Sequence, residues 1–281
     1  MYVDRVITST FYVDGVKLRV FDSGCERSYD IDTVLFLLHG SPGQISNWKY
    51  LLEYFKRYYR VVAYDLRGYG RSSKPEKVSL EDYLHDQELL MKKLGVRDED
   101  AVLIGHSFGG LVAQEYAARH RIKALILIGS LVKLKPDIVD WIIWHLPPLF
   151  WRRLFFTENK LTRKMYRKIF FSTKTPDTIY EEFIRDNKEY LESTPPHTFR
   201  YLKYFKDYDA SKTVTKIEAP TLIIVGEEDQ VTPVEQSKTL NKLIRNSILR
   251  IIPEAGHLVL YEKTEQLIKE IHQFIKTIHR H

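Results

Sequence analysis

The chain has 281 residues, 44% hydrophobic and 28% charged, with a net charge of +6. That length suits one large domain or a domain with an inserted subdomain, and the composition excludes disordered and collagen-like classes. The single cysteine, Cys25, excludes an intrachain disulfide framework and a cysteine-built zinc site, and it leaves a reducing compartment permitted.

The N-terminus lacks the basic, apolar, small-residue order of a secretory leader. No apolar run reaches the roughly 18 to 20 residues of a membrane span; the stretch from Trp141 to Trp151 is broken by His145, Pro147 and Pro148. A soluble, cytoplasmic protein is expected. The basic excess is local, because residues 131–180 hold ten Lys or Arg against four Asp or Glu and the remainder balances. No nucleic-acid-binding motif accompanies it, so no nucleic-acid partner is expected.

In chain order, Phe11 to Val13 and Lys17 to Phe21 flank Asp14-Gly15, a dipeptide suited to a tight hairpin turn. Short apolar runs follow at Val34 to Leu38, Arg60 to Tyr64, Ala101 to Ile104, Ala124 to Ile128, Thr221 to Val225 and Ile248 to Ile252. They are apolar on both faces and separated by helical patterns, which reads as parallel strands covered on both sides by helices. Ser79 and Asp82 form a capping pair before a helix over Tyr83 to Leu94 that Gly95 ends. Between Ile128 and Thr221 no convincing strand occurs, and 131–212 reads as a helical cap inserted into a core made of 1–130 and 213–281, with Pro147-Pro148 and Pro195-Pro196 as breakers.

The chemistry concentrates at strand ends. Gly105-His106-Ser107-Phe108-Gly109 lies between an apolar strand and the helical pattern Leu111 to Ala118. A serine in a strained strand-to-helix turn, flanked by glycines that let the backbone approach, projects its hydroxyl beside free helix N-terminal amides. Such a hydroxyl needs a base held in one tautomer by a carboxylate. Gly226-Glu227-Glu228-Asp229 follows one apolar run and Gly256-His257 follows the next, in loops that converge on one crevice in an open parallel sheet. Asp229 is preferred over its acidic neighbours because it lies farthest into the loop, before Val231-Thr232-Pro233 opens a helix. The expected catalytic set is Ser107, Asp229 and His257, in the order Ser, acid, His; His272, His279 and His281 read as part of a polar terminal helix.

His39-Gly40-Ser41-Pro42-Gly43 follows the strand Val34 to Leu38 and can offer a backbone N–H to the same crevice. The expected oxyanion donors are the amides of Ser41 and Phe108; Pro42 has no hydrogen to donate.

With these residues in place the chain resembles the α/β-hydrolase superfamily, in its cap-bearing branch of esterases, C–C bond hydrolases, lactonases, proline iminopeptidases and epoxide hydrolases. Asp65-Leu66-Arg67-Gly68-Tyr69-Gly70-Arg71-Ser72 is similar to the family's stretch after the fourth strand, which is structural there. The resemblance covers nearly the whole chain outside the cap. It implies a mostly parallel eight-stranded sheet with helices on both faces and a helical cap after the sixth strand. Epoxide hydrolases and haloalkane dehalogenases carry an aspartate where this chain has Ser107, and proline iminopeptidases carry a glycine where it has Ser41 and recognise a substrate ammonium.

Trp141, Trp144, Phe150, Trp151, Phe155 and Phe156 crowd one end of the cap. They either line an apolar substrate pocket or pack the cap on the main domain. Arg152, Arg153, Lys160, Arg163, Lys164, Arg167 and Lys168 form a solvated helix face, a weak contact for anionic membrane surfaces or an attractor of acidic substrates. The expected function is acyl transfer to water on a small-molecule ester, with C–C bond, lactone and peptide cleavage and a non-catalytic receptor as alternatives. The mechanism calls for no metal or organic cofactor, and the sequence leaves the oligomeric state open.

Overall fold

A computed structural model describes residues 8–24, 30–134 and 160–278. Cys25, the tryptophans and phenylalanines between 141 and 156, Arg152, Arg153, His279 and His281 lie outside the described residues.

Eight strands form one sheet: β1 (Ser9–Val13), β2 (Val16–Asp22), β3 (Asp30–Leu38), β4 (Tyr59–Tyr64), β5 (Ala101–His106), β6 (Ala124–Ile128), β7 (Thr221–Gly226) and β8 (Ser247–Ile252). Their order is β1-β2-β4-β3-β5-β6-β7-β8. The β1–β2 hairpin turns at Asp14-Gly15, both with positive φ, and β2 runs antiparallel to β4. All other pairs are parallel.

Strand period two builds two cores. Val34, Phe36, Leu38, Leu103, Leu125 and Leu127 face one layer, closed by α2 (Leu80–Leu94), α3 (Phe108–Ala117) and the end of α6 (Val234–Leu243). Leu35, Leu37, Val102, Ile104, Ala124 and Ile126 face the other, closed by α1 (Lys49–Phe55) and α7 (Thr264–Ile278). Each central strand is thus apolar on both faces, as its run of residues requires. The Ser79 hydroxyl accepts from the Asp82 N–H while the Asp82 carboxylate accepts from the Ser79 N–H, and Gly95 ends α2 in the left-handed region.

Two sequence expectations need correction. Ile248 to Ile252 is not covered on both faces: β8 is an edge strand, and Ile248 and Ile251 are 44% and 41% exposed. The helix bearing His272 is amphipathic rather than polar, because Leu267, Ile271, Phe274 and Ile275 pack under the sheet and buried His272 bonds the Tyr54 hydroxyl at 3.0 Å.

Between β6 and β7 the described residues hold α4 (Lys160–Phe170), α5 (Asp177–Ser193) and a 3-10 stretch, Pro196–Phe205. Apart from the single bridge between Lys133 and Asp209, they contain no strand. Tyr201, Phe205 and Ala210 are buried in the main core. Helix α5 is docked on the N-terminal end of α1: Lys49 Nζ contacts Glu182 and, at 2.5 Å, Asp186, while Gln44 and Asn47 bond Asn187. On α4, Arg163 and Arg167 pair with Asp177 and Glu181 of α5, and Lys164 and Lys168, one turn apart, are exposed. Among the described residues no helix is long and apolar enough to cross a membrane.

Candidate active site

Ser107 terminates β5 with φ 52° and ψ −119°, a conformation costly for a residue with a Cβ, and its N–H is held by the Ile128 carbonyl at 2.9 Å. Glycines make the turn possible: a Cβ on Gly105 would lie 2.5 Å from Gly110 Cα, and one on Gly109 would lie 2.6 Å from the His39 carbonyl. The elbow therefore presses directly on the end of β3. Helix α3 begins at Phe108, so its unpaired amides and the positive end of its dipole lie beside Ser107.

Asp229 and His257 meet across the loops after β7 and β8, with Asp229 Oδ2 2.9 Å from His257 Nδ1. Asp229 Oδ1 accepts from the Val231 and Thr232 amides at 2.9 and 2.8 Å. The Thr232 hydroxyl lies 2.8 Å from both Asp229 Oδ2 and the Gly129 carbonyl. Burial pushes the Asp229 carboxyl up, but the His257 ring and the Thr232 donors outweigh it and hold it below the usual carboxylate value. With Nδ1 turned to the carboxylate, Nε2 is the nitrogen left to take a proton. Gly129, at φ +51°, leaves room for this pair: a Cβ there would lie 3.2 Å from Asp229 Oδ2 and 3.3 Å from His257 Nδ1.

Two further histidines brace the backbone. The Leu66 N–H donates to His39 Nε2 at 2.9 Å, so His39 carries its proton on Nδ1 and donates to the Gly40 carbonyl at 2.7 Å. Burial lowers its pKa. His106 Nε2 donates to the His257 carbonyl at 2.9 Å, and burial together with neighbouring His257 holds its pKa down to about 3. Both rings are neutral hydrogen-bonding struts.

Ser107, His257, Gly40 and Ser41 line one pocket of about 620 Å³, counting its open mouth. Tyr166, Phe170, Phe183, Leu191, Leu258 and Leu260 supply an apolar wall. Tyr166 and Phe170 come from α4 and Phe183 and Leu191 from α5, while Leu258 and Leu260 follow β8; Trp141, Trp144, Phe150 and Trp151, expected at the pocket, lie outside the described residues. Ser41 is half-buried at the pocket, and the Ser41–Pro42 peptide is cis. Among the described residues no cluster of three or more His, Cys, Asp or Glu is placed to hold a metal.

Several supports of the site lie outside the residues expected to carry its chemistry. Asp65, fully buried, accepts from the Ile45 and Arg71 amides at 2.7 Å each and ties the loop after β4 to the one after β3. Glu262 accepts from Gly256 N–H at 2.9 Å, Ser172 N–H at 2.7 Å and the Thr175 hydroxyl. The Thr173 N–H donates to Glu228 at 2.9 Å, and the Leu258 N–H to the Phe170 carbonyl at 3.1 Å. Residues 170–175 are thereby stitched to both loops that carry Asp229 and His257. Only the position of Glu262 five residues after His257 could have drawn attention to it.

The alpha/beta hydrolase fold family model matches residues 33–264, a span that includes the elbow, the Asp229 loop and His257. The chain belongs to the α/β-hydrolase family. Epoxide hydrolase 3 of Xenopus tropicalis is 29% identical over 93% of this chain and 75% of its own length. A proline iminopeptidase of Saccharolobus solfataricus is 27% identical over 87% of this chain and 85% of its own. Among solved structures, a thermophilic esterase from Thermogutta terrifontis superposes with a TM-score of 0.80 at 25% identity, covering 97% of this chain and 98% of the esterase. An α/β-hydrolase with these relatives is a hydrolase acting on small molecules; which bond it cuts differs among them.

Proposed function

We propose that this α/β-hydrolase cleaves carboxylic esters through an acyl-enzyme on Ser107. The observation that carries the reading is the strained serine at an α3 N-terminus sharing one apolar-walled pocket with a histidine already paired to a buried carboxylate. In this mechanism His257 removes the Ser107 proton as the oxygen attacks the carbonyl. Asp229 holds the ring and stabilises the imidazolium, and the Ser41 and Phe108 amides receive the oxyanion. His257 then returns the proton to the leaving alcohol, and water repeats the sequence to release the acid. Segment 131–212 acts as the cap, with α4 and α5 closing over the acyl group.

Epoxide and iminopeptidase readings are each opposed by one feature. Ser107 stands where epoxide hydrolases carry an aspartate. Among the described residues the pocket lining holds no Asp or Glu to pair the ammonium of an iminopeptidase substrate.

The test is hydrolysis of p-nitrophenyl esters of graded acyl length by the wild type and Ser107→Ala. Turnover by the wild type with background rates for the variant is the expected outcome. Equal activity of the two rejects the site, and inactivity of both on esters moves C–C bond and lactone cleavage, then a receptor role, ahead of this reading.

A further inference from the structure

Tyr69 belongs to the stretch Asp65 to Ser72 that family resemblance marks as structural, yet it stands behind the proposed oxyanion site. Its ring is 2% exposed and packs edge-on against His39, with centroids 5.7 Å apart, and obliquely against Phe108 at 6.2 Å. It therefore touches both segments that carry the two amide donors, the loop after β3 and the first residue of α3. Its hydroxyl lies 2.8 Å from Ser41 Oγ.

Burial holds the Tyr69 phenol well above its ordinary pKa, so its proton stays on at any working pH. A phenol is the more acidic partner of the pair and the better donor. With Tyr69 donating, Ser41 Oγ accepts and its own hydrogen is left to point elsewhere. Ser41 lines the pocket beside Gly40 and Ser107, and a Cβ on Gly40 would come within 3.0 Å of Ser107 Cβ, so this loop lies against the nucleophile.

We propose that the Ser41 hydroxyl is a third oxyanion donor beside the two amides, and that Tyr69 is the positioning residue that aims it. The proposal rests on the serine-hydrolase reading above. No proton changes hands at this position: Ser41 keeps its hydrogen while the tetrahedral oxygen gains and then loses its charge. Cooperative polarisation along Tyr69 to Ser41 strengthens the donor as that charge develops.

Ser41→Ala removes the hydroxyl and retains the backbone N–H. For p-nitrophenyl butyrate, kcat is expected to fall about 10- to 100-fold with KM within about three-fold of wild type, at the low end of what one oxyanion donor contributes. An alkyl boronate, which mimics the tetrahedral adduct on Ser107, should lose affinity by a similar factor. Tyr69→Phe should cost about 3- to 10-fold, and the double variant should be no slower than Ser41→Ala alone. Thermal unfolding of each variant accompanies the kinetics.

Ser41→Ala within two-fold of wild type overturns the donor role, as does a loss expressed only in KM. A Tyr69→Phe loss that persists in full in the Ser41→Ala background overturns the positioning role. Ser107→Ala run in parallel separates the two levels: if it alone is inactive while Ser41→Ala is unchanged, the third donor fails and the serine-hydrolase reading stands. If Ser107→Ala remains active, both fail.

Discussion

Thr232 shows how much of the proposed site depends on groups beside Ser107, Asp229 and His257. Its amide and hydroxyl both serve Asp229, and the hydroxyl also reaches the Gly129 carbonyl. These donors stabilise the ionised carboxylate, which in turn keeps the His257 proton on Nδ1. Asp229→Asn should leave the fold intact but present the wrong tautomer, lowering kcat by about 10³- to 10⁴-fold. Thr232→Val, which keeps the amide and loses only the hydroxyl, should lower kcat by roughly 10-fold with little change in KM. Steady-state kinetics on one activated ester checks both, and a Thr232→Val enzyme at full kcat would show that the two amides alone orient the acid.

Among the elements, α5 is the described piece between β6 and β7 whose anchorage is clearest. Lys49 is nearly buried between Glu182 and Asp186, and the Tyr261 hydroxyl also bonds Asp186 at 3.2 Å. The same helix places Phe183 and Leu191 in the pocket wall, so its docking and the shape of the pocket are one matter. Lys49→Met would strand two acids in a partly desolvated interface, an arrangement that costs about 3 kcal/mol. We expect a lower urea midpoint and a raised KM for long-chain esters, with kcat for a short acetyl ester close to wild type. Unchanged KM across chain lengths would detach α5 from acyl recognition. At the other end of the stretch between β6 and β7, residues 170–175 are tied through Glu262 and Glu228 to the loops bearing His257 and Asp229.

Across the whole molecule, buried titratable groups set the response to acid. His106, with its pKa near 3 when folded, and His39, also lowered, each bind a proton more readily when unfolded, where the ordinary value is about 6.5. Between those values the unfolded chain holds more protons, so stability is full above about 6.5 and declines as pH falls, by up to about 1.4 kcal/mol per pH unit for each such histidine. Asp229, held below its ordinary value, adds a further loss at lower pH. Glu262, Asp86 and Glu115, raised by burial, act in the opposite sense just above the normal carboxylate range. The melting temperature is therefore expected to drop from pH 6.5 to pH 5, and less steeply in His106→Gln. Parallel slopes for the two proteins would show that His106 is not the group responsible.

The order of strands and helices, the elbow at Ser107, the paired loops at Asp229 and His257 and the Asp14-Gly15 and Gly95 turns were all legible in the chain. These features rest on local physics: side-chain periodicity, glycine at positive φ or at a close backbone approach, and capping groups three residues apart. The exposed face of β8 was not legible, because an edge strand and a central strand can share the same run of Ile and Leu, and only the missing neighbour tells them apart. The buried face around His272 was missed because its polar neighbours obscured the apolar spacing of Leu267, Ile271 and Phe274. The contacts of Tyr69 with Ser41, of Glu262 with Ser172, and of Lys49 with α5 join residues up to 137 positions apart. Nothing in a local pattern marks such partners, since a hydrogen bond between distant residues exists only once the sheet, its loops and the insertion have closed around a common pocket.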